Sequence, residues 1–221
     1  MNEQKMDLKA ETFALYRGLG FKISLYVKIR WLLCPYLEIE RQIPEGANCL
    51  DVGCGFGLLS NLLSLSSDKR YLFGIDIDKR RIETARKTIG KRKNIEFIRQ
   101  DLFDIKKESF NVITFVDVLH HIRNEIKQRI IEKSVSLLSP GGKILIKDVT
   151  DRPRWKYLYN YLFDNSTRIL RITKGNRCEY LNSNGFQKLL KKYGLHPYEI
   201  KIHHQDLAPH CLIIGSKAEK P

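Results

Sequence analysis

The chain has 221 residues, enough to bury one ordinary core without covalent staples. Lys and Arg number 39 against 25 Asp and Glu, a formal net charge of +14 that directs attention to anionic partners such as nucleic acid, lipid headgroups or an acyl carrier protein. Five cysteines (34, 49, 54, 178 and 211) form no C-x-x-C pair and no His-flanked zinc spacing, so free thiols, a reducing compartment and no metal site are expected. No apolar run approaches the roughly 20 residues of a membrane span, and no secretory signal opens the chain. A cytoplasmic location is therefore expected.

Residues 11–43 read as helical, broken near Gly18-Leu19-Gly20 and again at Cys34-Pro35. The piece 21–33 is apolar around much of its circumference, with Lys22, Lys28 and Arg30 at intervals. Such a helix either caps a sheet and its ligand pocket or lies on a membrane surface. From Ala47 strands alternate with helices. Strands are expected at 47–52, 71–76, 95–99, 111–116 and 143–148, which implies a parallel sheet with helices on both faces. Leu58-Leu59-Leu62-Leu63 and Ile82-Ala85-Ile89 show helical spacing. Ile126, Ile130, Ile131, Val135 and Leu138 predict a helix that ends in a turn at Ser139-Pro140-Gly141-Gly142.

Residues 149–182 are long for a plain connection and are expected to form a substrate lid. Trp155, Leu158, Tyr159 and Leu162 would give it an apolar face. Arg152, Arg154, Lys156, Arg168 and Arg171 could receive a phosphate or carboxylate, or could simply be solvated. Phe186, Leu189, Leu190 and Tyr193 mark a last helix stopped by Gly194. Strands at 198–204 and 210–216 follow, separated by Gln205-Asp206-Leu207-Ala208-Pro209, a connection that permits only an antiparallel hairpin.

The most informative segment is Leu50-Asp51-Val52-Gly53-Cys54-Gly55-Phe56-Gly57, a strand running into glycines spaced two apart. Glycine lets the backbone turn sharply and approach a ligand closely. Gly74-Ile75-Asp76-Ile77-Asp78 ends the next strand, where a carboxylate can grip two ribose hydroxyls. A strand-end Asp capping the following helix suits Asp78 better than Asp76. The dinucleotide fingerprint needs its third glycine at position 58, which is Leu58, and no Tyr precedes a Lys by four residues. A nicotinamide enzyme is thus disfavoured.

The loop with Asp51 before it resembles motif I of the class I S-adenosylmethionine-dependent methyltransferases, and the rest of the chain continues the resemblance. It implies a Rossmann-like α/β fold with a seven-stranded, mostly parallel sheet in the order 3-2-1-4-5-7-6, the last strand antiparallel. It also implies one domain over 1–221: a helical cap (1–43), a cofactor-binding half (44–148), the lid (149–182), and a terminal helix and hairpin (183–221). S-adenosylmethionine would be the cofactor. By the resemblance Asp51 orients the loop and reaches the methionyl amino group, and Gly53, Gly55 and Gly57 make the close approach. Asp76 would bind ribose and Ile77 would pack on adenine. Asp101 would bond the adenine amino group, with Leu102 supplying a backbone amide; a loop aspartate capping a turn is the competing account for Asp101. The fourth strand delivers Asp117-Val118-Leu119-His120-His121, similar to the D-x-L-H-H end of the ubiquinone-biosynthesis methyltransferases, with Asp117 on the cofactor side. A histidine here suits general-base work on a hydroxyl or acidic carbon. His120 and His121 are both candidates, and one of them could be structural.

The leading expectation is methyl transfer to a hydroxyl or activated carbon of a small apolar, anionic or carrier-linked acceptor of lipid or polyketide type. Peripheral contact with an anionic membrane at its inner face would suit the helix at 21–33. The basic charge suggests an RNA methyltransferase as the alternative, although no RNA-binding module is recognisable. A cofactor-binding subunit without catalysis is the third reading.

Overall fold

A computed structural model of the chain describes residues 3–106, 109–149, 179–201 and 210–219. Seven strands form one sheet in the order β3-β2-β1-β4-β5-β7-β6. They are β1 (Asn48–Val52), β2 (Tyr71–Asp76), β3 (Ile95–Arg99), β4 (Phe110–Val116), β5 (Leu138–Val149), β6 (His196–Ile200) and β7 (His210–Ser216). β1 pairs with β2, and β2 with β3, in parallel, whereas β7 runs antiparallel to both β5 and β6. The expected order and the reversed last strand are both present. By contact density the chain divides into two compact units, Met1–Thr114 and Phe115–Pro221.

In the first unit, α1 (Glu3–Ala14), α2 (Phe21–Leu33) and α3 (Tyr36–Arg41) precede β1. The breaks fall where Gly18-Gly20 and Cys34-Pro35 place them. α1 begins earlier than the expected residue 11, because Glu, Gln, Lys, Met and Ala favour helix without leaving an apolar stripe to read. α4 (Leu58–Ser66) and α5 (Lys79–Arg86) follow β1 and β2. α5 stops short of Ile89, which lies in the turn after it. Leu50, Leu62, Leu63, Leu72, Ile75 and Phe97 are almost completely buried, each side chain contributing about 1.5–3 kcal/mol by leaving water.

Arg70 closes the edge of this core. It is buried, pairs with Glu40 on α3 at 2.8 Å, and donates from Nε to the Pro44 carbonyl at 3.1 Å.

In the second unit, α6 (Asn124–Leu137) leads directly into β5, and α7 (Ser183–Lys192) leads into β6. Two expectations need correction here. Leu138 opens the strand and does not belong to the helix. Ser139-Pro140-Gly141-Gly142 is not a free turn but continues β5, because Gly141 N–H bonds Ala218 O and Lys217 N–H bonds Gly142 O, extending the ladder past Ser216. Gly141 does take the positive φ expected of it, 71°. α7 ends at Gly194 (φ 76°), where Gly194 N–H bonds Lys191 O and Leu195 N–H bonds Leu190 O, the paired bonds of a Schellman motif. The strand expected at 198–204 begins earlier, at His196. The Gln205–Pro209 connection and Cys178 lie outside the described residues, as do all the lid side chains singled out above (Trp155, Leu158, Tyr159, Leu162, Arg152, Arg154, Lys156, Arg168 and Arg171).

Candidate active site

The glycine segment of the first unit is held by backbone bonds before any side chain is considered. Gly53 and Cys54 N–H both bond Ile75 O, at 2.8 and 3.0 Å, and Gly57 N–H bonds Cys54 O at 2.9 Å. Gly53, Gly55 and Gly57 all have left-handed φ, 70°, 59° and 78°. Two of them do different work. A Cβ on Gly55 would meet nothing within 4 Å, so its backbone faces open space. A Cβ on Gly57 would lie 2.4 Å from Cζ of buried Phe97, so this glycine serves packing.

Asp76 joins the two halves of the motif. Its Oδ2 accepts from Gly55 N–H at 3.0 Å and its Oδ1 from Asp78 N–H at 2.8 Å, while Arg81 Nη1 stands 3.8 Å away. Asp78 caps α5, accepting from Arg80 and Arg81 N–H. The capping role thus falls to Asp78 and leaves Asp76 against the loop.

Asp51 is buried, with Oδ2 accepting from Ser60 Oγ at 2.6 Å and Oδ1 from Thr114 Oγ1 at 2.9 Å. Its carboxyl is pushed above the usual range by burial, against the pull of those two hydroxyls. This geometry fits orientation of the loop. Burial, then the nearby Asp51 and Asp76 charges, also raise the Cys54 thiol, so that cysteine stays protonated and unreactive.

Ile77 is exposed, at 67%, immediately after Asp76. The β3 exit runs beside it: Gln100 N–H bonds Asp76 O and Arg99 Nε bonds Ile77 O. Asp101, itself exposed, accepts from Phe103 N–H at 3.0 Å and so caps a single 3-10 turn over Leu102–Asp104. Leu102 turns its side chain into the core, and Phe103 remains 40% exposed.

The second unit gathers ionisable groups after β4 and at the end of β5, among them Asp117, His120, His121, Lys147 and Asp148. Asp117 has φ 54°, the only positive value at a non-glycine residue among those described. A strained backbone of this kind persists only where neighbours over-determine it. Here Asp117 N–H bonds Lys147 O, and Lys147 Nζ bonds Asp117 Oδ1 at 2.5 Å. Asp148, fully buried, takes His120 twice: Oδ2 accepts the backbone N–H at 3.1 Å and Oδ1 bonds the ring Nδ1. The His120 ring lies parallel to Tyr180 at 5.6 Å and against His121 at 3.9 Å. His120 is buried and His121 half-buried. The bonds of Glu179 N–H to His120 O and of Asn124 N–H to Glu179 Oε2 fix the same corner.

The sequence places Lys147 and Asp148 at a strand end, where charges in an open α/β sheet fall over the ligand crevice, but assigns neither a catalytic nor a cofactor role. Their sequence signal is two adjacent charges closing the apolar run Ile144-Leu145-Ile146. Neighbouring strand residues face opposite ways, so two buried ones require two partners. Tyr180 carries no such signal.

Comparison with known proteins supplies the family. A family described as a methyltransferase domain matches residues 32–200. The Ubiquinone biosynthesis O-methyltransferase of Coxiella burnetii strain Dugway 5J108-111 is 34% identical over 175 residues, covering 74% of this chain and 73% of that protein. The protein of the same description from strain RSA 331 is 27% identical over the same shares. Among solved structures, magnesium protoporphyrin IX methyltransferase from Synechocystis PCC 6803 with bound SAH matches with a TM-score of 0.66 at 16% identity, over 98% of this chain and 96% of that one. An O-methyltransferase family protein from Burkholderia thailandensis gives 0.67 at 18% identity, over 88% of this chain and 58% of that one. The chain belongs to the methyltransferase-domain family and is a class I S-adenosylmethionine-dependent methyltransferase.

Proposed function

We propose that the chain methylates a hydroxyl group of a small apolar acceptor, anionic or carrier-linked, of lipid or polyketide type. The observation that carries this reading is the His120–Asp148 pair. Bound S-adenosylmethionine supplies an already activated methyl group, so the protein's part is to hold the reactants and to remove the proton from a hydroxyl. Asp148 accepting from Nδ1 sets the tautomer in which Nε2 is the basic nitrogen, and its charge stabilises the imidazolium that forms. His120 is therefore the base and His121 its packing neighbour. Acceptors of this kind accord with the O-methyltransferase descriptions of the Coxiella relatives.

The cofactor would be held by the first unit. Gly53 and Gly55 bring the backbone close, and the open space beside Gly55 fits a ligand there. Asp76 would take the ribose hydroxyls, the exposed Ile77 and Phe103 offer apolar surface for adenine, and Asp101 with the Leu102 amide would meet its edge. Asp51, buried against Ser60 and Thr114, would orient the loop.

α2 supports a membrane contact. Phe21, Leu25 and Leu32 are exposed at 80%, 43% and 50%, Lys22 and Lys28 are exposed beside them, and no Asp or Glu occurs between Glu11 and Glu38. Such a face suits anionic lipid from which an apolar acceptor is drawn. Among the described residues no helix is long and apolar enough to cross a membrane.

The test is incubation with methyl-labelled S-adenosylmethionine and a cell extract separated into lipid, small-molecule, RNA and protein fractions. Label in the organic-soluble fraction is expected. Label confined to RNA would replace the reading with the nucleic-acid alternative, and cofactor binding without any label would replace it with a non-catalytic role.

A further inference from the structure

Two aromatic residues of the N-terminal helical region converge on one residue of the glycine loop. Tyr16 is 1% exposed, and its hydroxyl donates to the Phe56 carbonyl at 2.9 Å. The Tyr26 ring, on α2, meets the Phe56 ring edge to face at 5.1 Å. Both tyrosines precede residue 32, where the match to the methyltransferase family begins. We propose that Tyr16, backed by Tyr26, is a positioning residue that fixes the Phe56–Gly57 peptide and so preforms the loop for its cofactor. This inference rests on the reading of residues 53–57 as the cofactor cradle.

The physical need for such an anchor lies in the glycines. Phe56 sits between Gly55 and Gly57, both left-handed, and glycine crosses between φ regions at little cost. A peptide plane flanked in this way can rotate as a rigid unit, since its own torsion is locked. Here it is pinned at both ends. The Phe56 C=O is held by Tyr16, and the Gly57 N–H of the same plane is held by Cys54 O at 2.9 Å. Without the Tyr16 bond, cofactor binding must itself restrict the plane and bear the entropic cost of ordering it.

The anchor is itself fixed. Asn61 Nδ2 donates to the Tyr16 hydroxyl at 2.8 Å and to Thr88 Oγ1 at 2.8 Å. Arg92 Nη2 donates to Asn61 Oδ1 at 2.6 Å, and Thr88 Oγ1 bonds Ala85 O. Burial pushes the Tyr16 phenol well above its ordinary range, which keeps the hydroxyl a donor at every physiological pH. The network ties the start of the chain to α4, α5 and the loop within one unit.

The test is calorimetric titration of S-adenosylmethionine into the full-length protein, with thermal unfolding of each variant alongside. Tyr16→Phe keeps the ring and removes the bond; cofactor affinity should fall about threefold to tenfold, the range of a single hydrogen bond. In turnover the cofactor KM should rise while kcat at saturation changes little. Ser64→Ala removes a part-buried bond outside this network, Ser64 Oγ to Asn94 Oδ1 at 2.7 Å, so it should lower the Tm and leave affinity unaltered. Unchanged affinity in Tyr16→Phe would overturn the proposal, as would affinity losses in both variants that simply follow their Tm. Should Tyr16→Phe fail to fold, Tyr26→Leu at the half-buried second contact decides the matter in the same way. Asp76→Asn separates the two layers of inference. Loss of affinity there with none in Tyr16→Phe rejects the anchor alone, while no loss at Asp76 rejects the cradle.

Discussion

Gly57→Ala is the sharpest test of the loop's packing, because the structure separates two costs of adding one methyl group. The first is conformational: φ is 78°, in the left-handed region, where an L side chain costs about 1–2 kcal/mol. The second is steric. The new Cβ would lie 2.4 Å from Phe97 Cζ and 2.7 Å from Cε1, and Phe97 is only 1% exposed. Gly74, its register partner on β2, also has its missing side chain replaced by this ring, which leaves the ring little room to swing aside. Overpacking of this kind adds about 1–3 kcal/mol, for a total near 2–5 kcal/mol. Gly55→Ala supplies the control, since its φ is 59° but nothing lies within 4 Å of the added carbon. It should lose only about 1–2 kcal/mol. The assay is urea unfolding of both variants, and of each combined with Phe97→Leu, which withdraws the clashing ring. Phe97→Leu should relieve Gly57→Ala by about 1 kcal/mol or more and leave the Gly55→Ala increment unaltered. Equal losses for the two glycine variants, or no relief from Phe97→Leu, would refute the division of labour between them.

His120→Gln should reduce methyl incorporation about 100-fold or more while cofactor affinity stays within about twofold, Asp148→Asn should fall between it and wild type, and His121→Gln should lose least. A larger loss at His121 in the labelled-extract assay would move the base there. Asp51→Asn should alter the pH profile of stability. Burial holds the folded carboxyl above its unfolded value, so its contribution is fullest below about pH 3.9 and declines as pH rises through the folded pKa. The Tm difference between Asp51→Asn and wild type should therefore shift in the variant's favour from acid toward neutral pH, and a constant difference would show that no such shift exists. Arg70→Met should cost about 2–4 kcal/mol in urea unfolding, because the Pro44 and Ile43 carbonyls lose a buried donor, although Glu40 at 21% exposure can still reach water. A loss below about 1 kcal/mol would mean that water replaces the guanidinium.

The fold was legible wherever the determinants are local. Gly53, Gly55 and Gly57 at the end of an apolar run predict a strand leading into a tight loop, and β1, β2 and β3 lie within one residue of expectation. Asp76 and Asp78 could be told apart for the same reason, since a helix cap is set by the residues immediately after it. The Ser139–Gly142 segment misled because its turn chemistry is real, as φ 71° at Gly141 attests, but its hydrogen bonds go to Gly142's and Gly141's partners near residue 218, far along the chain. Propensity describes a residue's neighbours in sequence; a ladder is decided by its neighbours in space.

The same distinction explains the site. The His pair is legible as a candidate from its place after β4, but the contact that distinguishes His120 from His121 is not, because it depends on Asp148 reaching His120 across a separation of 28 residues. That carboxylate is fully buried, and a buried charge without a partner would cost several kcal/mol. The neighbouring Lys147 meets the same demand by pairing with Asp117, whose left-handed backbone is held by the Asp117 N–H bond to Lys147 O. Two adjacent strand residues therefore point to opposite faces and each answers a residue at the end of β4. An apolar strand that closes on two charges is the trace such an arrangement leaves in the sequence. It announces that partners exist, and only the register of β5 beside the Asp117–His121 segment says which they are.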